Sequence, residues 1–102
     1  MGFKRLEKNL IDIIKEEQAK LGYRKEAIRL YYPLSSLQHI LGTTDSAEQL
    51  IEKLQKEANF AKDSLGTLDI SCQNERFCIG IPVDGSEWVH DHMQPAEFIV
   101  SL

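Results

Sequence analysis

Residues 31–61 read YYPLSSLQHILGTTDSAEQLIEKLQKEANFA. Leu34, Leu37, Ile40 and Leu41 recur at three- and four-residue steps, which places them on one face of a short helix over Leu34–Leu41. Ser35 and Gln38 stand at the spacing of a capping box, and Gly42 supplies the stop. Asp45 and Glu48 repeat that start signal after the turn Gly42-Thr43-Thr44-Asp45. Ala47, Leu50, Ile51, Leu54, Ala58 and Ala61 then continue as a helical stripe, predicting a helix over Ala47–Ala61. Two helices separated by about four residues, one of them Gly, have the spacing of a helix-turn-helix.

Upstream, Phe3, Leu6, Leu10, Ile13, Ile14 and Leu21 give one apolar stripe on a helix of roughly 18 residues, closed by Gly22. Arg24–Ala27 reads as a helical turn. Ile28-Arg29-Leu30-Tyr31-Tyr32 has strand composition, and Pro33 biases Tyr32 toward extended backbone.

Downstream, Gly66–Pro82 carries the clearest period-two signal. Leu68, Ile70 and Cys72 alternate, then Phe77, Ile79 and Ile81. A turn on Asn74-Glu75 sets Cys72 opposite Phe77 and Ile70 opposite Ile79, and a slip of one residue would send every apolar side chain to the other face. A four-residue loop, Gln73–Arg76, keeps the same register. Val83-Asp84-Gly85-Ser86 reads as a turn, Trp88–Met93 as a strand or extended piece, and Phe98-Ile99-Val100 as β-prone. An apolar ending of this kind suits a piece of a longer protein or a segment that pairs with another chain.

A chain of 102 residues sets a single domain as the expectation, here 1–102, with its compact unit at about 4–82 and an extended segment over 83–102. No apolar run approaches the ~20 residues that span a bilayer, and the start lacks the apolar middle of a signal peptide, so a cytoplasmic protein away from membranes is expected. Two cysteines are too few for a disulfide scaffold. The net charge of −4 divides unevenly: residues 1–29 carry eight Lys/Arg against five Asp/Glu, or +3, and residues 30–102 carry four against eleven, or −7.

The order helix, short strand, helix, turn, helix, hairpin resembles the winged-helix superfamily over roughly residues 4–82. The resemblance implies an α+β, winged-helix-like fold of three main helices plus a C-terminal β-hairpin. The wording Leu21-Gly22-Tyr23-Arg24-Lys25-Glu26-Ala27 followed by Leu30-Tyr31-Tyr32-Pro33-Leu34-Ser35-Ser36-Leu37 is also similar to an uncharacterised bacterial protein family, which implies no known activity. In winged-helix DNA binders the second helix of the turn motif enters the major groove. Here that helix holds Asp45, Glu48, Glu52 and Glu57 against Lys53 and Lys56, a balance that opposes the phosphate attraction on which most DNA affinity rests.

Candidate chemistry is sparse. His90 and His92, two apart in an extended strand, would point the same way and could share a metal; a surface or half-buried pair is the plainer expectation. Cys72 reads as a core thiol and Cys78 as an outward residue, neither beside a basic cluster that would activate it. The glycines are isolated, with no phosphate-cradling loop, so no cofactor is expected. The expectation is therefore a non-enzymatic protein-association module, docking a protein partner or forming a homo-oligomer through Trp88, Phe98 and Val100. The alternative is a DNA-binding transcription-regulator domain using Gln49, Lys53, Lys56, Arg76, Arg24 and Lys25. A third reading is the small metal site at His90 and His92.

Overall fold

The computed structural model describes residues 1–93. Its elements, in order, are α1 (Phe3–Leu21), β1 (Ile28–Pro33), α2 (Leu34–Leu41), α3 (Ala47–Lys56), β2 (Asp69–Gln73), β3 (Arg76–Ile81) and α4 (Val83–Asp91). The described fold is thus mixed α+β, with four helices and one antiparallel sheet of order β1-β3-β2.

The sheet follows from the period-two pattern. Cys72 pairs with Phe77 and Ile70 with Ile79, and β1 joins the far side of β3 with Leu30 opposite Ile79 and Tyr32 opposite Phe77. Ile70, Phe77, Ile79 and Ile81 are buried together on the inner face. Tyr31 and Tyr32 divide between the two faces. Tyr32 is buried, while Tyr31 is 57% exposed on the outer face. The β2–β3 connection is the two-residue turn: Asn74 and Glu75 both take positive φ, 52° and 63°, as a type I′ turn requires.

Three helices close over the inner face. Leu6, Leu10 and Ile14 of α1, Leu37 and Leu41 of α2, and Leu50 and Leu54 of α3 fill the core with Leu65 and Val89. Burying a side chain of this class stabilises by roughly 1.5–3 kcal/mol before entropy is counted. Gly42 ends α2 in the left-handed region, φ 68° and ψ 43°. The Leu41 carbonyl then accepts from Gly2 N at 2.9 Å, which ties the start of α1 to the end of α2.

Several sequence expectations need correction. Leu21 is 71% exposed rather than part of the α1 stripe. Arg24–Ala27 is not a helical turn but an irregular connection with bends at Lys25 and Glu26. The capping box of α3 lies one residue later than Asp45 and Glu48: Ser46 Oγ accepts from Gln49 N at 3.3 Å, and Ser46 N donates to Gln49 Oε1 at 3.0 Å. Asp45 is held instead by Lys53 Nζ at 2.7 Å. The Ser35 and Gln38 spacing makes no box, because Pro33 caps α2 and Gln38 donates to the Asp45 carbonyl.

α3 also stops at Lys56 rather than Ala61. The chain there tightens to three-residue bonds, Phe60 N to Glu57 O and Lys62 N to Asn59 O, and this turns Phe60 onto Phe3 with ring centroids 5.2 Å apart.

The largest correction concerns residues 83–91, which are neither turn nor strand but helix α4. Pro82 caps it, since its missing N–H costs nothing there. Gly85 and Ser86 are buried on it, so the glycine serves a close approach and not a bend. Phe98 and Val100 lie outside the described residues.

Candidate functional site

Two neighbouring hollows are built where α4 meets α1. The first lies on the α1 face that carries Lys4, Lys8 and Lys15. A groove of about 380 Å³ runs there, lined by Lys4, Glu7, Ile11, Lys15, Trp88 and His92 among others. Trp88 is half-buried, and its ring stacks on His92 at 4.0 Å between centroids. His92 closes α4, with its Nδ1 2.7 Å from the Trp88 carbonyl oxygen.

The second hollow lies at the other end of α1. It holds about 150 Å³ between the last turn of α1, the Gly22–Ile28 connection and α4, and is lined by Glu17, Gln18, Arg24, Glu26, Ile28 and Ser86 among others. Gln18 is 8% exposed and Ser86 1%. Gln18 Nε2 donates to the Ser86 carbonyl at 3.1 Å and lies 3.4 Å from Ser86 Oγ. Among the described residues, Gln18 Oε1 is buried with no hydrogen-bond partner. Tyr23 stacks on His90 beside this hollow, at 4.2 Å and 12° between planes. Burial raises the Tyr23 phenol above its ordinary pKa, and the Glu87 and Asp91 carboxylates raise it further.

A different surface lies beside α3. Ser46, Ala47, Glu48, Ile51, Cys72, Asn74 and Glu75 line a hollow of about 500 Å³ between the start of α3 and the β2–β3 turn. Ala47, Ile51 and Cys72 are its apolar lining, and among the described residues that line it the charged ones are Glu48 and Glu75.

The structure does not gather the residues of the DNA alternative. Lys53 is taken by Asp45. Arg76 lies over the Tyr31 ring at 5.7 Å on the outer sheet face. Arg24 lines the α1–α4 hollow, and Lys25 follows it in the connection. Gln49 belongs to the α3 cap and Lys56 to its last turn. His90 and His92 are one residue apart at the end of a helix, where a step of two turns the direction by about 200°; the strand geometry that would let them share a metal is absent. Among the described residues no group of three or more His, Cys, Asp or Glu side chains is placed to hold a metal ion. Cys72 and Cys78 are both free and half-buried, on opposite faces of the sheet.

The Gln18–Ser86 pair was not foreseen from the sequence. One signal pointed to it: Leu6, Leu10, Ile14 and Gln18 step by four along one face of α1, so a single amide stands in an otherwise aliphatic row.

These features define, among the described residues, a small mixed α+β domain with shallow grooves and a polar hollow on its surface. Residues 3–102 match the family described as "Domain of unknown function, E. rectale Gene description (DUF3877)", and the chain belongs to that family. No curated protein and no solved structure matches it. Among the described residues no helix is long and apolar enough to cross a membrane.

Proposed function

We propose that the chain is a non-enzymatic protein-association module on a winged-helix-like scaffold, with α4 appended to it. The order α1-β1-α2-α3-β2-β3, with β1 completing the sheet on the free side of β3, supports the scaffold reading. The observation that carries the functional reading is the α1–α4 groove. Trp88 and Ile11 give it an apolar centre, and Lys4, Glu7, Lys8, Asp12 and Lys15 give it a charged rim. An aromatic anchor inside a polar rim is the usual make-up of a protein interface, and Trp is among its most energetic residues. Phe98 and Val100, which follow α4 in the sequence, belong to the same proposal.

Sedimentation velocity over the micromolar range tests self-association, with Trp88→Ala as the paired variant. Concentration-dependent association that weakens at least tenfold in the variant supports the proposal. A strict monomer in both removes the homo-oligomer and leaves only a separate partner.

DNA binding through α3 ranks below this reading. The hollow that would meet the duplex is rimmed by Glu48 and Glu75, and such charges oppose the counterion release that drives binding. A DNA titration at low salt that showed binding with a steep salt slope would reverse the order.

A further inference from the structure

We propose that β1 pairs antiparallel with β1 of a second copy of this chain, joining the two sheets into one across a two-fold axis at Leu30. This surface is separate from the α1–α4 groove, and the inference does not rest on the groove.

The free edge comes first. The strand order β1-β3-β2 leaves two edges. Leu34 N donates to the Glu75 carbonyl at 3.0 Å, and this bond sets the alternation of the β1–β3 ladder. Ile28, Leu30 and Tyr32 turn their main-chain groups toward β3, while Arg29, Tyr31 and Pro33 turn theirs away. Among the described residues nothing bonds to the outward N–H and C=O of Arg29 and Tyr31. The opposite edge is guarded, because Gln55 Nε2 of α3 donates to the Ile70 carbonyl of β2 at 3.0 Å. An unpaired edge is a template for another strand.

The apolar layer thins at the same edge. Ile79 and Ile81 of β3 are 0% and 1% exposed, whereas Leu30 and Ile28, opposite them on β1, are only partly buried. A strand laid alongside would take that remaining apolar surface out of water.

The side chains then select the occupant. With the axis at Leu30, Arg29 lies opposite Tyr31 of the second copy, and Tyr31 opposite its Arg29. Each of these two pairs exchanges both main-chain bonds. On the inner face Leu30 meets Leu30. On the outer face each guanidinium meets a phenol ring that is 57% exposed in the single chain, a cation–π pair made twice. The ring already takes one such partner within the chain, since Arg76 lies over it at 5.7 Å. Neighbouring registers lose this match. An axis at Arg29 sets two guanidinium groups against each other, and an axis at Tyr31 brings Pro33, which has no N–H, opposite Arg29. The strand is thus complementary to itself in one register, as a two-fold contact requires.

The test is sedimentation velocity of the whole chain from about 5 to 500 µM, with amide hydrogen exchange measured over the same range. A dimer is expected, and exchange at Arg29 and Tyr31 should slow as concentration rises. Tyr31→Arg sets like charges opposite each other twice and should weaken the dimer at least about tenfold. Arg29→Glu removes both cation–π pairs and should weaken it about three- to tenfold. Mixed in equal amounts, the two variants should recover an affinity within about threefold of the parent's. The introduced glutamate then faces the introduced arginine, and the native Arg29 and Tyr31 face each other across the axis. The proposal is overturned by a parent that stays monomeric, by exchange at Arg29 and Tyr31 that ignores concentration, or by a dimer that Tyr31→Arg leaves intact. A dimer dissolved by Trp88→Ala but not by Tyr31→Arg also overturns it and assigns the contact to the groove. The reverse pattern supports it and removes the groove as the self-association surface.

Discussion

Gly85→Ala sets two well-defined effects against each other. Gly85 lies inside α4, where alanine is favoured by about 1 kcal/mol on helix propensity alone. An added Cβ at this position, however, would stand 2.4 Å from the Leu65 carbonyl oxygen and 2.6 Å from Ile81 Cγ2. An ordinary carbon–oxygen approach is about 3.3 Å, so the two chains must part by about 0.9 Å. Neither neighbour yields easily: one is backbone, and Ile81 is 1% exposed in the core. Forcing a methyl into such a site costs typically 1–3 kcal/mol, and contact with backbone places this one at the upper end. The net expectation is a loss of about 1–2 kcal/mol despite the better helix former. For a domain of this size each kcal/mol moves Tm by roughly 4–8 °C, so Tm should fall by about 5–15 °C. Urea unfolding followed by circular dichroism, with the slope unchanged, measures it. A variant as stable as the parent would mean that α4 does not lie against Leu65, and both α1–α4 hollows would lose their geometry.

Three further outcomes follow from single groups. Tyr32 is buried, its hydroxyl donating to Asn9 Oδ1 at 2.7 Å, and burial pushes its pKa from 10.0 up to about 12. A raised folded-state pKa means that the neutral phenol is the stabilised form. Its contribution, roughly 2–3 kcal/mol, is complete below about pH 10 and vanishes as pH rises through about 12. The stability difference between the parent and Tyr32→Phe should therefore shrink over that window, and a pH-independent difference would refute it. Ser46→Ala removes the side-chain half of the α3 capping box and should cost about 1 kcal/mol in urea, whereas Asp45→Ala, at the position the sequence favoured as cap, should leave that box in place. Glu75→Gly relieves a non-glycine residue at φ 63°. That strain of about 1–2 kcal/mol outweighs the 0.5–1 kcal/mol of added unfolded-state entropy, so a gain of up to about 1 kcal/mol is expected in the same assay.

The sheet was legible because six apolar residues at period two admit one register and punish every other. The helices α1 and α2 were legible from their stripes. α4 was not, because Val83-Asp84-Gly85-Ser86 has turn composition and Trp88-Val89-His90 has strand composition. Pro82 starts it locally, but what seats it is non-local: the absence of a side chain at Gly85 lets it settle on Leu65. The cap of α3 slipped for a similar reason. Asp45 and Ser46 are both competent caps, and the choice is made by Lys53, which holds Asp45 by charge and draws its carboxyl below the ordinary pKa. Trp88, expected on a strand or extended piece, lies on helix α4 instead. Its neighbours Lys4, Ile11 and Lys15 on α1 come from more than seventy residues away, and no local pattern could supply them.

Gln18 is where packing and chemistry pull apart most clearly. At the fourth step of the row Leu6, Leu10, Ile14, a leucine would extend the buried stripe and gain the transfer free energy of its side chain, roughly 1.5 kcal/mol or more. It would also remove a buried acceptor whose isolation costs about 1–3 kcal/mol. Against this stands the bond from Nε2 to the Ser86 carbonyl, worth about 1 kcal/mol net, at an oxygen that lies within α4's own ladder. Summed, Gln18→Leu should raise stability by about 1.5–3.5 kcal/mol. An amide whose clamp of α1 to α4 outweighs both terms gives the opposite sign: Gln18→Leu would then lose more than about 1 kcal/mol in urea.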